Sequence, residues 1–176
     1  MDRRTRRWAP QRALIAFGSN LGNRMGWLRF GIRQVAALPG VTWRAASSVY
    51  ETAPIGGPNQ GPFLNGVAWF DVALDAEDLL AACLQIEQAA GRVRDVPNGP
   101  RTLDIDLVLV GERVRSAPDP TLPHPRLENR AFVLVPAAEI ANDWVIPGDG
   151  RTFAQLCDSL GDAAGVTVFA PPKRWL

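Results

Sequence analysis

The chain is poor in the residues that most often announce a reaction. Of its 176 residues, one is histidine and two are cysteine. With one histidine and no nucleophile elbow, neither a Ser-His-Asp nor a Cys-His arrangement can be assembled. Cys83 and Cys157 stand alone in apolar helical patterns, which fits buried thiols better than a disulfide or a metal pair. No apolar run approaches the ~18 residues that span a bilayer, so no membrane partner is expected. Formal net charge is only +1, so no overall basic field points to nucleic acid. Neither a Walker A loop nor a GxGxxG follows the first apolar segment, so a P-loop or Rossmann nucleotide site is unsupported. Repeats and low-complexity linkers are absent as well.

What remains is an ordinary globular composition, 47% apolar and 21% charged. A chain this long can bury roughly 70% of its unfolded surface in one domain. Charge is uneven along it. Residues 1–12 carry five arginines against one aspartate, which leaves the remainder near −3. That start reads as a solvated, disordered tail and lacks the apolar stretch of a signal peptide. The expectation is a tail over 1–12, one domain over 13–176, a cytoplasmic location and a monomer.

The first element is a strand, 13-ALIAFGS-19. A helix follows from about Asn23, with Trp27, Leu28, Ile32, Val35 and Leu38 on one face, and stops at Pro39-Gly40. Residues 41–50 are strand-like. The segment 51-ETAPIGGPNQGP-62 holds three prolines and three glycines in twelve residues and is a loop. A strand returns over 63–74, and Asp75 caps a helix over 76–91 whose face is Leu79, Leu80, Cys83, Leu84 and Ile86. A second irregular segment, 92-RVRDVPNGPR-101, leads into the strand TLDIDLVLV. Beyond it lie a short strand candidate at 112–116, a proline-rich turn, the apolar run 131–141, a helix near 152–160 and a strand at 166–170. The order predicts an α/β (α+β) fold: a ferredoxin-like βαββαβ sandwich with an antiparallel-dominated sheet, helices on one face, and additional C-terminal elements.

Chemistry concentrates around two aspartates that a strand should avoid. Asp104 and Asp106, at spacing i, i+2, share one strand face with backbones about 6.6 Å apart. Carboxylates so placed can converge on a pair of cations, as Mg²⁺ ions bound with substrate phosphates require; an exposed edge strand would carry the same pattern at little cost. Arg92, Arg94 and Arg101 flank the strand in a loop broken by Pro97, Asn98, Gly99 and Pro100. Guanidinium forks match phosphate oxygens, and such a loop can close as a lid; arginines neutralising surface acids would look alike. His124 sits between two prolines, with Arg126 and Arg130 near it, which fits a structural turn or a second phosphate-facing cluster. Phe63 and Asn65 share a strand face and Phe132 is a further aromatic. These residues suit either a flat heteroaromatic ring or the core.

Four segments taken together resemble one family. The motifs 14-LIAFGSNLGNR-24, 48-SVYETAPIGGPNQGPFLNGV-67, 86-IEQAAGRVRDVPNGPRTLDIDLVLVG-111 and 122-LPHPRLENRAFVLVPAAEIA-141 are similar, in order and spacing, to those of the 6-hydroxymethyl-7,8-dihydropterin pyrophosphokinases of folate synthesis. The resemblance runs from about residue 13 to about residue 160. It implies transfer of the β,γ-diphosphoryl group of ATP to the pterin's hydroxymethyl oxygen, leaving AMP. It also implies two Mg²⁺ on Asp104 and Asp106, and transfer assisted by Arg92 and Arg101. ATP contacts fall on Glu87, Arg92, Arg101, Leu107, His124 and Arg130. The pterin pocket falls on Thr52, Ile55, Phe63, Asn65 and Phe132. Phe63 stands where some members have tyrosine, Asn98 where some have tryptophan, and Leu84 where some have glutamine. Two other classes share parts of this pattern. An RNA-binding sheet would place aromatics and basic residues on its face, where two bare aspartates would repel phosphate. A two-metal phosphohydrolase would release free phosphate instead of AMP.

Overall fold

The computed structural model describes residues 9–56, 58–93, 99–161 and 165–175. Its alternation of strands and helices follows the periodicities of the sequence. Strand β1 (Gln11–Ser19) leads to helix α1 (Arg24–Ala36), then β2 (Val41–Ala46), β3 (Val49–Thr52) and β4 (Phe63–Val72). Helix α2 (Ala76–Ala89) precedes β5 (Asp104–Val110), followed by α3 (Ala131–Ala141), α4 (Phe153–Ser159) and β6 (Val166–Ala170). Caps sit where side chains can satisfy free amides. Asn23 accepts from Gly26 N, Asp75 from Ala76 N, and Thr152 forms a reciprocal capping box with Gln155. Leu28, Ile32 and Val35 of α1, and Leu79, Cys83 and Ile86 of α2, are buried, as their spacing predicts. Leu84 is the exception in the expected α2 face and is 43% exposed. Both cysteines are free.

The result is a mixed α/β structure whose strands pair antiparallel in the order β5-β1-β4-β3-β6, with β2 also on β4. Side chains alternate across it. Ala13, Ile15 and Phe17 pack with α1 and α2, while Leu14 and Ala16 pack with α3 and α4. Helices therefore cover both faces, not one, because the chain after β5 supplies a second layer. Among the described residues no helix is long and apolar enough to cross a membrane.

Three local expectations change. Strand β1 begins at Gln11, inside the expected tail, because Gln11 and Arg12 pair with Val72 and Asp71; residues 1–8 lie outside the described residues. The strand expected over 41–50 is two strands, broken at Ser47-Ser48. There Ser47 Oγ receives Val67 N at 3.0 Å, while Ser48 N and Oγ donate to Glu139 on α3 at 2.8 and 2.9 Å. Residues 112–116 are a turn with a single bridge from Arg115 to Leu122, not a strand. The apolar run 131–141 is a helix despite Pro136 within it.

The C-terminal segment closes the core. Trp175 is fully buried, donates Nε1 to Ser47 O at 2.7 Å and meets Phe17 edge-on at 5.7 Å. Gly66 is required beneath it, since a Cβ there would come within 2.3 Å of the indole.

Glu139 also accepts from the Tyr50 hydroxyl at 2.9 Å. Burial, and after it the hydrogen bond and charge of Glu139, push the Tyr50 phenol up from 10.0 to about 12. Because folding raises this pKa, the phenol's contribution to stability is complete below the unfolded value of about 10 and is lost as pH rises through the folded one. Tyr50 is the sole tyrosine, so tyrosinate absorbance follows it alone. The native protein should titrate near 12 and the urea-unfolded chain near 10, with Glu139→Gln bringing the native midpoint down.

Candidate active site

The acids of β5 do not stand in open solvent. Asp104 and Asp106 lie on the sheet face that carries α3, and each is held by guanidinium groups from other elements. Asp104 is ion-paired to Arg92 and, at 2.8 Å, to Arg101. Arg92 is 9% exposed and also ion-pairs Glu87 at the end of α2, whose carboxylate is 3% exposed and accepts from Ile105 N at 2.8 Å. Asp106 meets Arg130 at 2.9 Å, with His124 at 3.9 Å. Arg130 Nη1 lies 2.9 Å from His124 Nε2.

These pairings set the protonation states. Burial acts to raise the Asp104 carboxyl, but Arg92 and Arg101 outweigh it and hold the group below the usual carboxylate range. Burial first, and then Arg130, pushes His124 below its ordinary value in spite of Asp106. His124 is therefore neutral at physiological pH, and a ring nitrogen can accept a hydrogen bond from Arg130.

Beside the acids opens a cleft of about 360 Å³. Its walls include Thr52, Ile55, Phe63, Asn65 and Phe132, together with Arg101, Asp104 and Arg130. All five residues matched to a pterin pocket are thus brought together with three matched to phosphate and metal. Asn65 donates Nδ2 to Thr52 Oγ1 at 2.7 Å, both residues being buried. Arg101 lies 5.5 Å from the Phe63 ring centroid and Arg130 lies 4.7 Å from that of Phe132, so cations cap the aromatic walls. Ile55 is 70% exposed at the rim.

Sheet register explains this convergence. Gly18 on β1 is aligned with Asn65 on β4 and with Asp104 on β5. A Cβ at position 18 would lie 3.0 Å from Asn65 Oδ1, so glycine leaves a bare floor between the amide and the acid.

Glu87, Arg92, Asp106, Leu107 and His124 do not line the cleft. Glu87 and Leu107 are buried, Leu107 with its side chain in the α1/α2 core. Arg94, Pro97 and Asn98 of the arginine loop lie outside the described residues. Among residues not singled out beforehand, Asn20 ties both loops together. Its Nδ2 donates to Gln60 Oε1 at 2.8 Å and to Gly61 O at 3.2 Å, and its Oδ1 accepts from Arg101 N at 2.8 Å. Gln60, Arg126 and Asn129 also line the cleft. Asn20 falls within the first quoted motif, so a signal for it existed.

Two carboxylates with hard oxygen donors fit Mg²⁺, which takes one or two protein carboxylates plus water and phosphate oxygens. Among the described residues there is no group of three or more His, Cys, Asp and Glu that could hold a metal ion.

Fold and cleft together define a mixed α/β protein in which an arginine-held acid faces aromatic walls. The sequence pattern described as 7,8-dihydro-6-hydroxymethylpterin-pyrophosphokinase (HPPK) matches residues 14–142. The chain belongs to that family. It is 40% identical over 159 residues to the 2-amino-4-hydroxy-6-hydroxymethyldihydropteridine pyrophosphokinase of Synechocystis sp., covering 90% of this chain and 80% of that one. The enzyme of the same name from Pseudomonas aeruginosa is 41% identical over 146 residues, with coverage of 83% and 90%. Among solved structures, Plasmodium falciparum HPPK-DHPS wild type with pterin and p-hydroxybenzoate superimposes with a TM-score of 0.68. That match is 11% identical and spans 89% of this chain but 44% of that polypeptide, so it concerns the fold alone.

Removing the Glu87 carboxylate should unfold the site before it affects any chemistry. Glu87→Ala leaves Arg92 short of a buried partner and Ile105 N–H without its acceptor, at a cost of about 3–5 kcal/mol. Urea denaturation should show that loss, and a smaller one for Glu87→Gln, which still accepts from Ile105.

Proposed function

We propose that the chain transfers the β,γ-diphosphoryl group of ATP to the hydroxymethyl oxygen of 6-hydroxymethyl-7,8-dihydropterin. AMP and the pterin diphosphate are the products, in a step of folate synthesis. The observation that carries this reading is the meeting, in one cleft, of the hydrogen-bonded Thr52 and Asn65 and two aromatic walls with the arginine-held Asp104 of β5.

In this reading the pterin lies against Phe63 and Phe132, with Asn65 and Thr52 on its polar edge and Ile55 at the rim. The substrate hydroxyl attacks the β-phosphorus in line, a new P–O bond forms, the bond to the bridging oxygen of AMP breaks, and the hydroxyl proton is lost. Arg92 and Arg101 hold the moving diphosphoryl group, and Arg130 and His124 contact the nucleotide. Glu87 orients Arg92 and the start of β5, and the Leu107 backbone lies near adenine. Asp104 and Asp106 would hold Mg²⁺, two ions in all. When bound, the metal would neutralise charge on the phosphate group. Among the described residues no side chain stands out as a strong general base, and in this reading positioning and fixed charge supply most of the acceleration.

The acids and arginines neutralise one another here, and ligand binding must re-partner them. Phosphate oxygens compete with Asp104 for the forks of Arg92 and Arg101, and the carboxylates then become available as oxygen donors. The reading also includes a cytoplasmic monomer with no membrane partner and no nucleic-acid partner, the last supported by a net charge of only +1.

Purified protein incubated with ATP, Mg²⁺ and the pterin should form AMP only when the pterin is present. Free phosphate from ATP without pterin would instead identify a phosphohydrolase. Arg101→Ala should lower kcat by roughly a hundredfold or more with little change in pterin affinity, and an unchanged kcat would remove the proposed role of that residue. Asp106→Ala should abolish turnover while leaving the circular-dichroism spectrum intact.

A further inference from the structure

The reading above leaves one guanidinium of the cleft without a task. Arg126 lines the cleft itself and also an adjoining depression of about 320 Å³ on the far side of His124. Its backbone is left-handed, with φ 61° and ψ 22°. Among the described residues it is the only one other than glycine with positive φ. A side chain bearing Cβ is strained there, and such strain persists only where the surroundings enforce it, most often at sites that use it.

The surroundings do enforce it. Pro123 and Pro125 bracket His124, whose N–H donates to Val108 O of β5 at 2.9 Å. Leu122 N donates to Arg115 O at 2.9 Å, and Asn129 N to Arg126 O at 3.1 Å. Leu127, the next residue, is buried at 6% exposure. Arg126 is thus fixed at its backbone and exposed at its side chain.

Its charge is the unmatched one. Arg92, Arg101 and Arg130 ion-pair with Glu87, Asp104 and Asp106, three cations against three anions. Arg126 makes no ion pair and no side-chain hydrogen bond among the described residues. Among the described residues, the charged network at and around the cleft therefore leaves one surplus positive charge, carried by the residue with the enforced backbone. A surplus guanidinium in a cleft with phosphate-matched neighbours takes an oxyanion in its fork.

We propose that Arg126 is a further substrate-binding residue, which grips the diphosphoryl group on both sides of its transfer, as part of ATP and then as part of the pterin diphosphate. The inference rests on the functional reading given above. It names this group over the α-phosphate or the rings because Arg126 shares the cleft with both Asp104 and the Phe63–Asn65 wall. The diphosphoryl group is the one ligand part that must pass between those two.

Three variants of the full chain decide the matter: Arg126→Ala, Arg126→Gly and Arg126→Lys. The ligands are Mg²⁺-ATP, AMP, the free pterin and the pterin diphosphate, with dissociation constants measured for each. Loss of the guanidinium should weaken ATP and the pterin diphosphate about tenfold and leave AMP and free pterin within about twofold. KM for ATP should rise more than kcat falls. Glycine relieves the left-handed backbone and alanine does not, so Arg126→Gly should melt higher than Arg126→Ala while both bind the diphosphorylated ligands equally poorly. Lysine should recover part of the affinity. The inference is overturned if all four ligands change together, if none changes, or if affinity follows melting temperature across the variants. Absence of pterin-dependent AMP from the wild-type chain would instead overturn the functional reading, and with it the ligand named here.

Discussion

The structure around the cleft depends on carboxylates being compensated inside a sheet. A strand with aspartates at two alternate positions can pack against other elements only if each charge is matched where it lies. Here the matching groups come from four separate places. Arg92 follows α2, Arg101 closes the loop before β5, Arg130 starts α3, and Glu87 on α2 completes the set by binding both Arg92 and the Ile105 amide. The ion pairs thus do two things at once. They make β5 compatible with a packed sheet, and they lock the end of α2, the arginine loop and the start of α3 onto it.

The same network explains how the cleft can be stable without ligand and still receptive to one. Isolated buried cations would be expensive, and isolated buried anions equally so. Neutral pairs avoid both costs, and they remain exchangeable because phosphate oxygens and Mg²⁺ offer each partner an alternative of the same kind. A neutral His124 beside Arg130 fits this arrangement, since a second positive charge there would oppose the guanidinium. In the proposed reading, specificity for the ring is separated from this exchange. The Thr52–Asn65 contact is an uncharged hydrogen bond between buried groups on adjacent strands, and re-pairing of charges elsewhere leaves it in place.

Much of this was readable from residues alone, for identifiable reasons. Helices α1 and α2 declare themselves through 3.6-residue periodicity and through Asn23 and Asp75 as caps. The paired acids declare themselves through their misfit in an apolar strand. What escaped depends on distant partners. The break at Ser47-Ser48 follows from Glu139, 91 residues away, drawing both polar groups of Ser48 toward α3. Residues 112–116 alternate like a strand, yet the segment has one bridge to Leu122 and turns away. Covering of both sheet faces requires α3, whose apolar run suits a strand or a helix equally and contains Pro136. The role of Trp175 needs Gly66 opposite it, 109 residues earlier in the numbering of the chain. For the site, the family motifs carried most residues into the cleft, but a motif says nothing about backbone sign, and Arg126 is distinguished by its φ.

In the proposed reading, the sheet itself supplies the spacing between the two halves of the reaction. Asn65, Gly18 and Asp104 are neighbours across β4, β1 and β5, in register. Adjacent strands lie about 4.8 Å apart, so the amide and the acid are separated at their backbones by roughly 9.6 Å. That separation leaves room for a ring edge and its hydroxymethyl arm on one side and a phosphate on the other. It does not depend on loop conformation, because hydrogen bonds on both sides of β1 maintain it. A side chain at position 18 would fill the space, and a one-residue slip of either neighbour would turn its functional group to the opposite face. The loops adjust the charges around the cleft, while the spacing between Asn65 and Asp104 is a property of three paired strands.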